Sequence, residues 1–266
     1  MTDEPILNEE LSSDLLRALD AEEFHLVYQP EIDLHTSGFA GVEALIRWRH
    51  PSRGIVSPLV FIPLLEANGM IVDVGHWALE TACYQGAEWH ARGFRFPVAV
   101  NTSGQQLRRP SFVDDVAHLI RVSRLDPTHL TLEFPYATMA DPEIQQVLTK
   151  IREHGVRLAV DNFIPGRTNF IALTELPLDI VKLDRAFVAE NATTKEGEVL
   201  IRQLVHDARD LGLRIIASGV EDENLRDRLR EEQVDVGQGF HFARPYEVEE
   251  IDRFLEDFAL FSGRPL

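Results

Sequence analysis

Apolar positions along this chain alternate between a helical rhythm and short extended runs. Residues 7–20 carry Leu11, Leu15, Leu16 and Leu19 at helical spacing, which predicts an amphipathic lead-in helix. Two extended runs follow, 26–33 and 39–48, joined only by the turn signal His35-Thr36-Ser37-Gly38; so short a connection makes the two strands antiparallel. Helices are then predicted over 58–68 and 74–92, the second stopped by Gly93, and a strand over 98–100 tipped by Asn101-Thr102-Ser103. Further on, helix 112–122 leads to strand 129–132 tipped by Glu133, and helix 142–154, stopped at Gly155, leads to strand 157–160 tipped by Asp161. Residues 180–184 form another strand with charged residues at its end. Helix 196–211 precedes strand 214–217, tipped by residues 218–221, and a last strand at 234–236 ends at Gln238-Gly239 before the closing helix 248–258.

Eight strands mostly separated by helices, with no linker or low-complexity tract, predict a single α/β unit: a TIM-type (β/α)8 barrel over 21–266, preceded by the lead-in helix in 1–20. An open doubly wound sheet is the alternative, but its Gly-x-Gly-x-x-Gly fingerprint after a strand is absent.

Composition narrows the function classes. At 266 residues, 44% hydrophobic and 26% charged, the chain can bury a full core, and no run is long and apolar enough to span a membrane. The acidic start Met1-Thr2-Asp3-Glu4-Pro5 is unlike a secretory signal, and Cys83 has no second cysteine to pair with, so a soluble, cytoplasmic protein is expected. A formal net charge of −18 argues against gripping long nucleic acid, which needs a basic face. A small phosphate-bearing ligand stays open, because one local cation can reverse the field inside a pocket.

The polar strand tips carry the candidate chemistry. The apolar run 158–160 breaks off at Asp161-Asn162 and then Pro165-Gly166, as a buried parallel strand does when its C-terminal tip holds a ligand. Asp and Asn also begin ordinary turns, so this stretch decides nothing alone. In a barrel, however, Glu43, Asn101, Glu133, Asp161, Lys182, Glu221 and Gln238 would converge on one rim. Carboxylates and an amide oxygen make a hard shell suited to Mg²⁺ or Mn²⁺ rather than zinc, and the ten histidines are dispersed. A structural salt bridge is the alternative reading of Glu43, and a structural ion pair that of Lys182 and Asp184.

Tyr28-Gln29-Pro30, Glu43-Ala44-Leu45 with Arg47-Trp48 and His50-Pro51, and Asn101-Thr102-Ser103 with Gln106 form an ordered set of motifs. Glu133, Asp161, Lys182 with Asp184 and Phe187, Gly219-Val220-Glu221 and Gln238-Gly239-Phe240 continue it. From about residue 15 onward this set resembles the EAL family of cyclic di-GMP phosphodiesterases. The resemblance implies a barrel with an antiparallel first strand that binds cyclic di-GMP across its strand tips and, in active members, hydrolyses it to pGpG with metal ions. It implies Glu43, Asn101, Glu133 and Asp161 as ligands of a first metal, Lys182 beside the attacking water, and Glu221 and Gln238 in the supporting network. Arg47 would take a ligand phosphate and Gln29 would line the ligand pocket.

Departures from the family pattern cluster. Asn162 stands where active members carry a second aspartate, Ser218 where they carry a glutamate, and Tyr136 where a second glutamate is common. The following Phe-Gly-Thr-Gly-Tyr-Ser-Ser is here Phe163-Ile164-Pro165-Gly166-Arg167-Thr168-Asn169, which implies a rebuilt loop. The first-metal shell is complete and the charges expected around a second metal are lost, so one metal site is expected rather than two. The expectation is a degenerate domain that binds cyclic di-GMP or regulates a partner with little or no hydrolysis. An active or slow metal-dependent phosphodiesterase producing pGpG and an interaction module without nucleotide are the alternatives, with a protein partner or homodimer possible in each.

Overall fold

The computed structural model describes residues 4–165 and 170–262. In chain order these form α1 (Glu4–Ala18), β1 (Phe24–Asp33), β2 (Phe39–His50), β3 (Gly54–Val56), α2 (Pro58–Asn68), α3 (Ile71–Ala91), β4 (Val98–Asn101), α4 (Gly104–Leu107) and α5 (Phe112–Ser123). They continue as β5 (Leu130–Pro135), α6 (Pro142–Glu153), β6 (Arg157–Phe163), β7 (Ile180–Leu183), α7 (Arg185–Asn191), α8 (Lys195–Asp210), β8 (Arg214–Ser218), α9 (Glu223–Glu231), β9 (Val236–Gln238) and α10 (Val248–Ser262).

The strands hydrogen-bond in the order β1-β9-β8-β7-β6-β5-β4-β2, and β1 pairs with β2 to close an eight-stranded barrel, with β3 a short hairpin arm on β2. As the short first connection predicts, β1 is antiparallel to β2, with Gln29 opposite Glu43, and it is also antiparallel to β9. The remaining neighbours, from β2–β4 round to β8–β9, are parallel. Side chains crowd Gly237 on β9, where a Cβ would lie 2.9 Å from both Leu34 and Phe242 side chains.

The structure adds what periodicity could not show. β3 is three residues long, and α4, α7 and α9 are short; α9 (ENLRDRLRE) has only Leu225 and Leu229 as its buried anchors. The last strand lies at Val236–Gln238, two residues beyond the predicted 234–236, because Val234 is buried in the loop that feeds it. Helices start where caps predict: Ser57, Asp141, Thr194 and Asp222 each accept a backbone N–H of the first turn, with proline following at Pro58 and Pro142.

The main core lies between barrel and helices, with Tyr28 packed edge-on against Trp89 at 4.8 Å. A second cluster seats α1: Leu11, Leu15 and Ala18 pack against Phe24, Trp48, Phe61 and Leu65. Inside the barrel the two-residue side-chain period builds layers. Ala99, Thr131, Ala159, Ile180, Ile216 and Val236 form a mostly apolar floor. Two residues on along the same strands stand Asn101, Glu133, Asp161, Lys182, Ser218 and Gln238. A single register thus carries the barrel from hydrophobic to polar and charged, on the side where parallel strands end.

Candidate active site

Lys182 is the centre of the polar layer. It leaves β7 into the barrel, is 2% exposed, and its Nζ donates to Glu43 Oε2 at 2.9 Å and to Glu133 Oε2 at 2.7 Å. Glu43 on β2 also accepts from Gln238 Nε2 at 2.8 Å and from Asn101 Nδ2 at 2.6 Å, so both of its oxygens are satisfied. Five residues from five strands, scattered over 195 positions of sequence, therefore form one hydrogen-bonded unit. The structural salt bridge and the site reading of Glu43 are thus the same contact, whereas Asp184 plays no part in it: its carboxylate accepts from Phe187 N at 2.8 Å and caps α7.

Electrostatics divide the carboxylates. Burial opposes ionisation of Glu43, but Lys182 and three hydrogen bonds outweigh it and hold its carboxyl below the usual range. Burial pushes Glu133 well above that range, Lys182 offsetting only part, and it raises Asp161 in the same way. Burial works against the Lys182 ammonium, yet Glu133 and Glu43 hold its pKa well above the ordinary value, so the lysine stays protonated.

The other expected residues sit around this unit. Asp161, Asn162, Ser218, Gln238 and Gln29 line a cavity of about 200 Å³ above Lys182. Gln29 Nε2 donates to Ala243 O at 3.2 Å. Glu221 reaches the same cavity from its rim, where it is ion-paired with Arg185 and both side chains are more than half exposed; it is not in the buried network. Arg47 lies in an adjoining groove of about 340 Å³, lined by Ile46, Ile62, Leu65, Val74 and Ala78, and donates to its neighbour's carbonyl, Ile46 O, at 2.9 Å. Groove and cavity share Glu43, Asp161 and Asn162, so they make one continuous depression across the strand ends.

Asn162 adopts a left-handed backbone, φ +58°, which Asn and Asp tolerate better than other side chains, and its amide donates to Asp161 Oδ2 at 3.1 Å. Tyr136 packs edge-on against Phe163 at 5.7 Å. Of the segment 164–169, expected to be rebuilt, residues 166–169 lie outside the described residues.

Among the described residues no three His, Cys, Asp or Glu side chains are gathered as a metal-holding group; Glu43 and Glu133 converge on the ammonium instead. The donor set nonetheless fits a hard cation. Glu43, Glu133 and Asp161, with Glu31 behind them, outnumber the one buried ammonium, and carboxylate oxygens are the donors a hard cation prefers.

Glu31 is the residue that motif reasoning missed. It is 6% exposed and its Oε1 lies 3.8 Å from Lys182 Nζ. The signal was present in β1, where Gln29, Glu31 and Asp33 alternate on the face that Glu43 marks as inward.

A family model described as EAL domain matches residues 12–245. The chain is 35% identical over 248 residues to the cyclic di-GMP phosphodiesterase PA2567 of Pseudomonas aeruginosa, covering 92% of this chain and 42% of that protein. It is 34% identical over 260 residues to the cyclic di-GMP phosphodiesterase NbdA of the same bacterium, covering 97% of this chain and 33% of that protein. The chain thus spans less than half the length of both curated relatives. Among solved structures, the PaMucR phosphodiesterase in complex with c-di-GMP superposes with a TM-score of 0.86 at 33% identity, covering 91% of this chain and 99% of that one.

Proposed function

The chain belongs to the EAL domain family, and from that premise we propose that it binds cyclic di-GMP across the strand tips, with one divalent cation and with little or no hydrolysis. The observation that carries the reading is the asymmetry of the site: Glu43, Glu133, Asp161 and Lys182, with the Asn101 amide, supply ionisable groups on one side, while Asn162 and Ser218 on the other are neutral. The continuous depression from Arg47 to Phe240 suits an elongated dinucleotide, with the Arg47 guanidinium free to turn from a backbone carbonyl to a phosphate. Gln29 would hold the ligand at the opposite wall.

Mg²⁺ or Mn²⁺ would be held by Glu43, Asn101, Glu133 and Asp161, where its charge would activate water and neutralise a phosphate oxygen. Lys182 keeps a proton at Nζ beside that shell, and Glu43 and Glu133 fix where it points. Gln238 orients Glu43, and Glu221 stands at the rim, within reach of a ligand but already paired with Arg185. With Asn162 and Ser218 uncharged, one cation is held rather than two, and two-metal hydrolysis loses one of its electrostatic supports. At about 1.4 kcal/mol per decade, losing several kcal/mol slows turnover roughly a thousandfold.

A slow single-metal phosphodiesterase is the second reading, favoured by the intact Lys182–Glu43–Glu133 unit, which a pure binding site does not need. Action in the cytoplasm, and regulation through a protein partner or a homodimer, complete the proposal. The buried lone thiol of Cys83 accords with a reducing compartment, and among the described residues no helix is long and apolar enough to cross a membrane.

Calorimetric titration of cyclic di-GMP with Mg²⁺ present, followed by chromatography of the mixture, tests it. Binding with intact ligand is expected. Appearance of pGpG selects the second reading, and neither binding nor product overturns both.

A further inference from the structure

Below Lys182 the barrel encloses a second, much smaller space of about 20 Å³, lined by Glu31, Thr131, Glu133, Ile180, Ile216 and Val236 among others. Each of its two glutamates has one carboxylate oxygen buried without a hydrogen-bond partner among the described residues, Glu31 Oε1 and Glu133 Oε1. Glu31 is 6% exposed and Glu133 1%. The Lys182 ammonium does not satisfy either atom: its bond to Glu133 goes to Oε2, and Glu31 Oε1 at 3.8 Å is beyond hydrogen-bond reach. Buried acceptors left unpaired are costly, and native proteins supply them with a donor. Both orphans are acceptors, and a space of roughly 10–15 Å³ or more with polar walls holds one water, whose two hydrogens match two acceptors. Apolar Ile180, Ile216 and Val236 wall the space, and Arg157 and Arg214 line it as well, Arg214 being ion-paired with Asp33.

We propose that this space is a binding site for one ordered water that donates to Glu31 and Glu133, and that Glu31 through it is a positioning residue for Glu133. The bridge fixes Glu133 from behind while Lys182 fixes its other oxygen, so the carboxylate is held at both oxygens. Partners of this kind behind a cation-binding carboxylate typically change metal affinity about 10–100-fold when removed. The water itself stands independently of the ligand reading; the positioning role rests on Glu133 holding a cation.

Crystal structures of the wild-type chain and of Glu31→Leu, with Mn²⁺ titration followed by electron paramagnetic resonance, test both parts. The wild type should show one ordered water within hydrogen-bond distance of Glu31 and Glu133. Glu31→Leu should lose it and bind Mn²⁺ about tenfold more weakly, while Glu31→Gln, whose amide oxygen still accepts from a water, should keep both within about threefold of wild type. A wild-type space without that water overturns the site, whether or not either variant folds. A wild type that takes up no Mn²⁺, or a folded Glu31→Leu with wild-type Mn²⁺ affinity, overturns the positioning role, and the crystallographic water still decides the first part separately.

Discussion

Replacing Lys182 by Met tests whether the buried ion cluster is organised as described. Met nearly matches the lysine stem in length and fills its channel, so packing changes little and the loss is electrostatic. The ammonium is 2% exposed and makes bonds of 2.9 and 2.7 Å to Glu43 and Glu133. Removing one partner from a buried ion pair leaves uncompensated charge and costs about 3–5 kcal/mol. In a chain of this size about 1 kcal/mol corresponds to roughly 2–4 °C, so the melting temperature should fall by roughly 10 °C. Urea unfolding followed by tryptophan fluorescence should show a lower midpoint at unchanged slope. The effect should also depend on pH. Without the ammonium, the folded-state pKa of Glu43 rises above its unfolded value of about 4.3, and that of Glu133, already raised by burial, rises further. The stability tied to such groups is fully present below that value and is lost as pH rises through the folded one. The gap between variant and wild type should therefore narrow from pH 7 to pH 5. A loss below about 1 kcal/mol at pH 7, the level of an exposed pair, or a gap of constant size at both pH values would refute the reasoning.

Three further outcomes are expected. Asn162→Asp combined with Ser218→Glu should raise cyclic di-GMP hydrolysis measured with Mn²⁺ present, since Asp tolerates the left-handed backbone at 162; no gain would place the defect in segment 164–169 or in ligand binding. At Asp33 burial opposes ionisation, but bonds from Thr36 and His35 win and hold the carboxyl below its usual range. Its contribution is therefore present above the unfolded value of about 3.9 and is lost as pH falls through the folded one. Asp33→Ala should cost about 1 kcal/mol in urea unfolding at pH 6 and progressively less toward pH 3. Burial pushes the Cys83 thiol up to about 12, so its reaction with a disulfide reagent at pH 8 should follow global unfolding, and a fast reaction in native buffer would contradict that burial.

How much of this was legible in the sequence can be read from particular residues. Helical spacing at Leu11, Leu15 and Leu19, the short turn at 35–38 and the polar residues ending each apolar run determined the barrel, its antiparallel first strand and which polar residues stand at its strand ends. These signals are local: side-chain period and turn length act within a few residues, so one dimension suffices. The loop start or strand tip question at Asp161 could not be settled locally, because period two says which face a side chain takes but not what stands opposite. Closure of the sheet decided that Lys182 on β7 meets Glu43 on β2 and Glu133 on β5, while Asp184, two residues on, turns away to cap α7. It also left Glu221, which matches the same family motif set, on the exposed rim with Arg185, and it drew Glu31, outside every motif, into the charged layer. Ion pairs and burial are long-range in sequence and steep in distance, so which carboxylate joins the buried network, stands behind it or stays at the surface is set only when the register of eight strands is fixed.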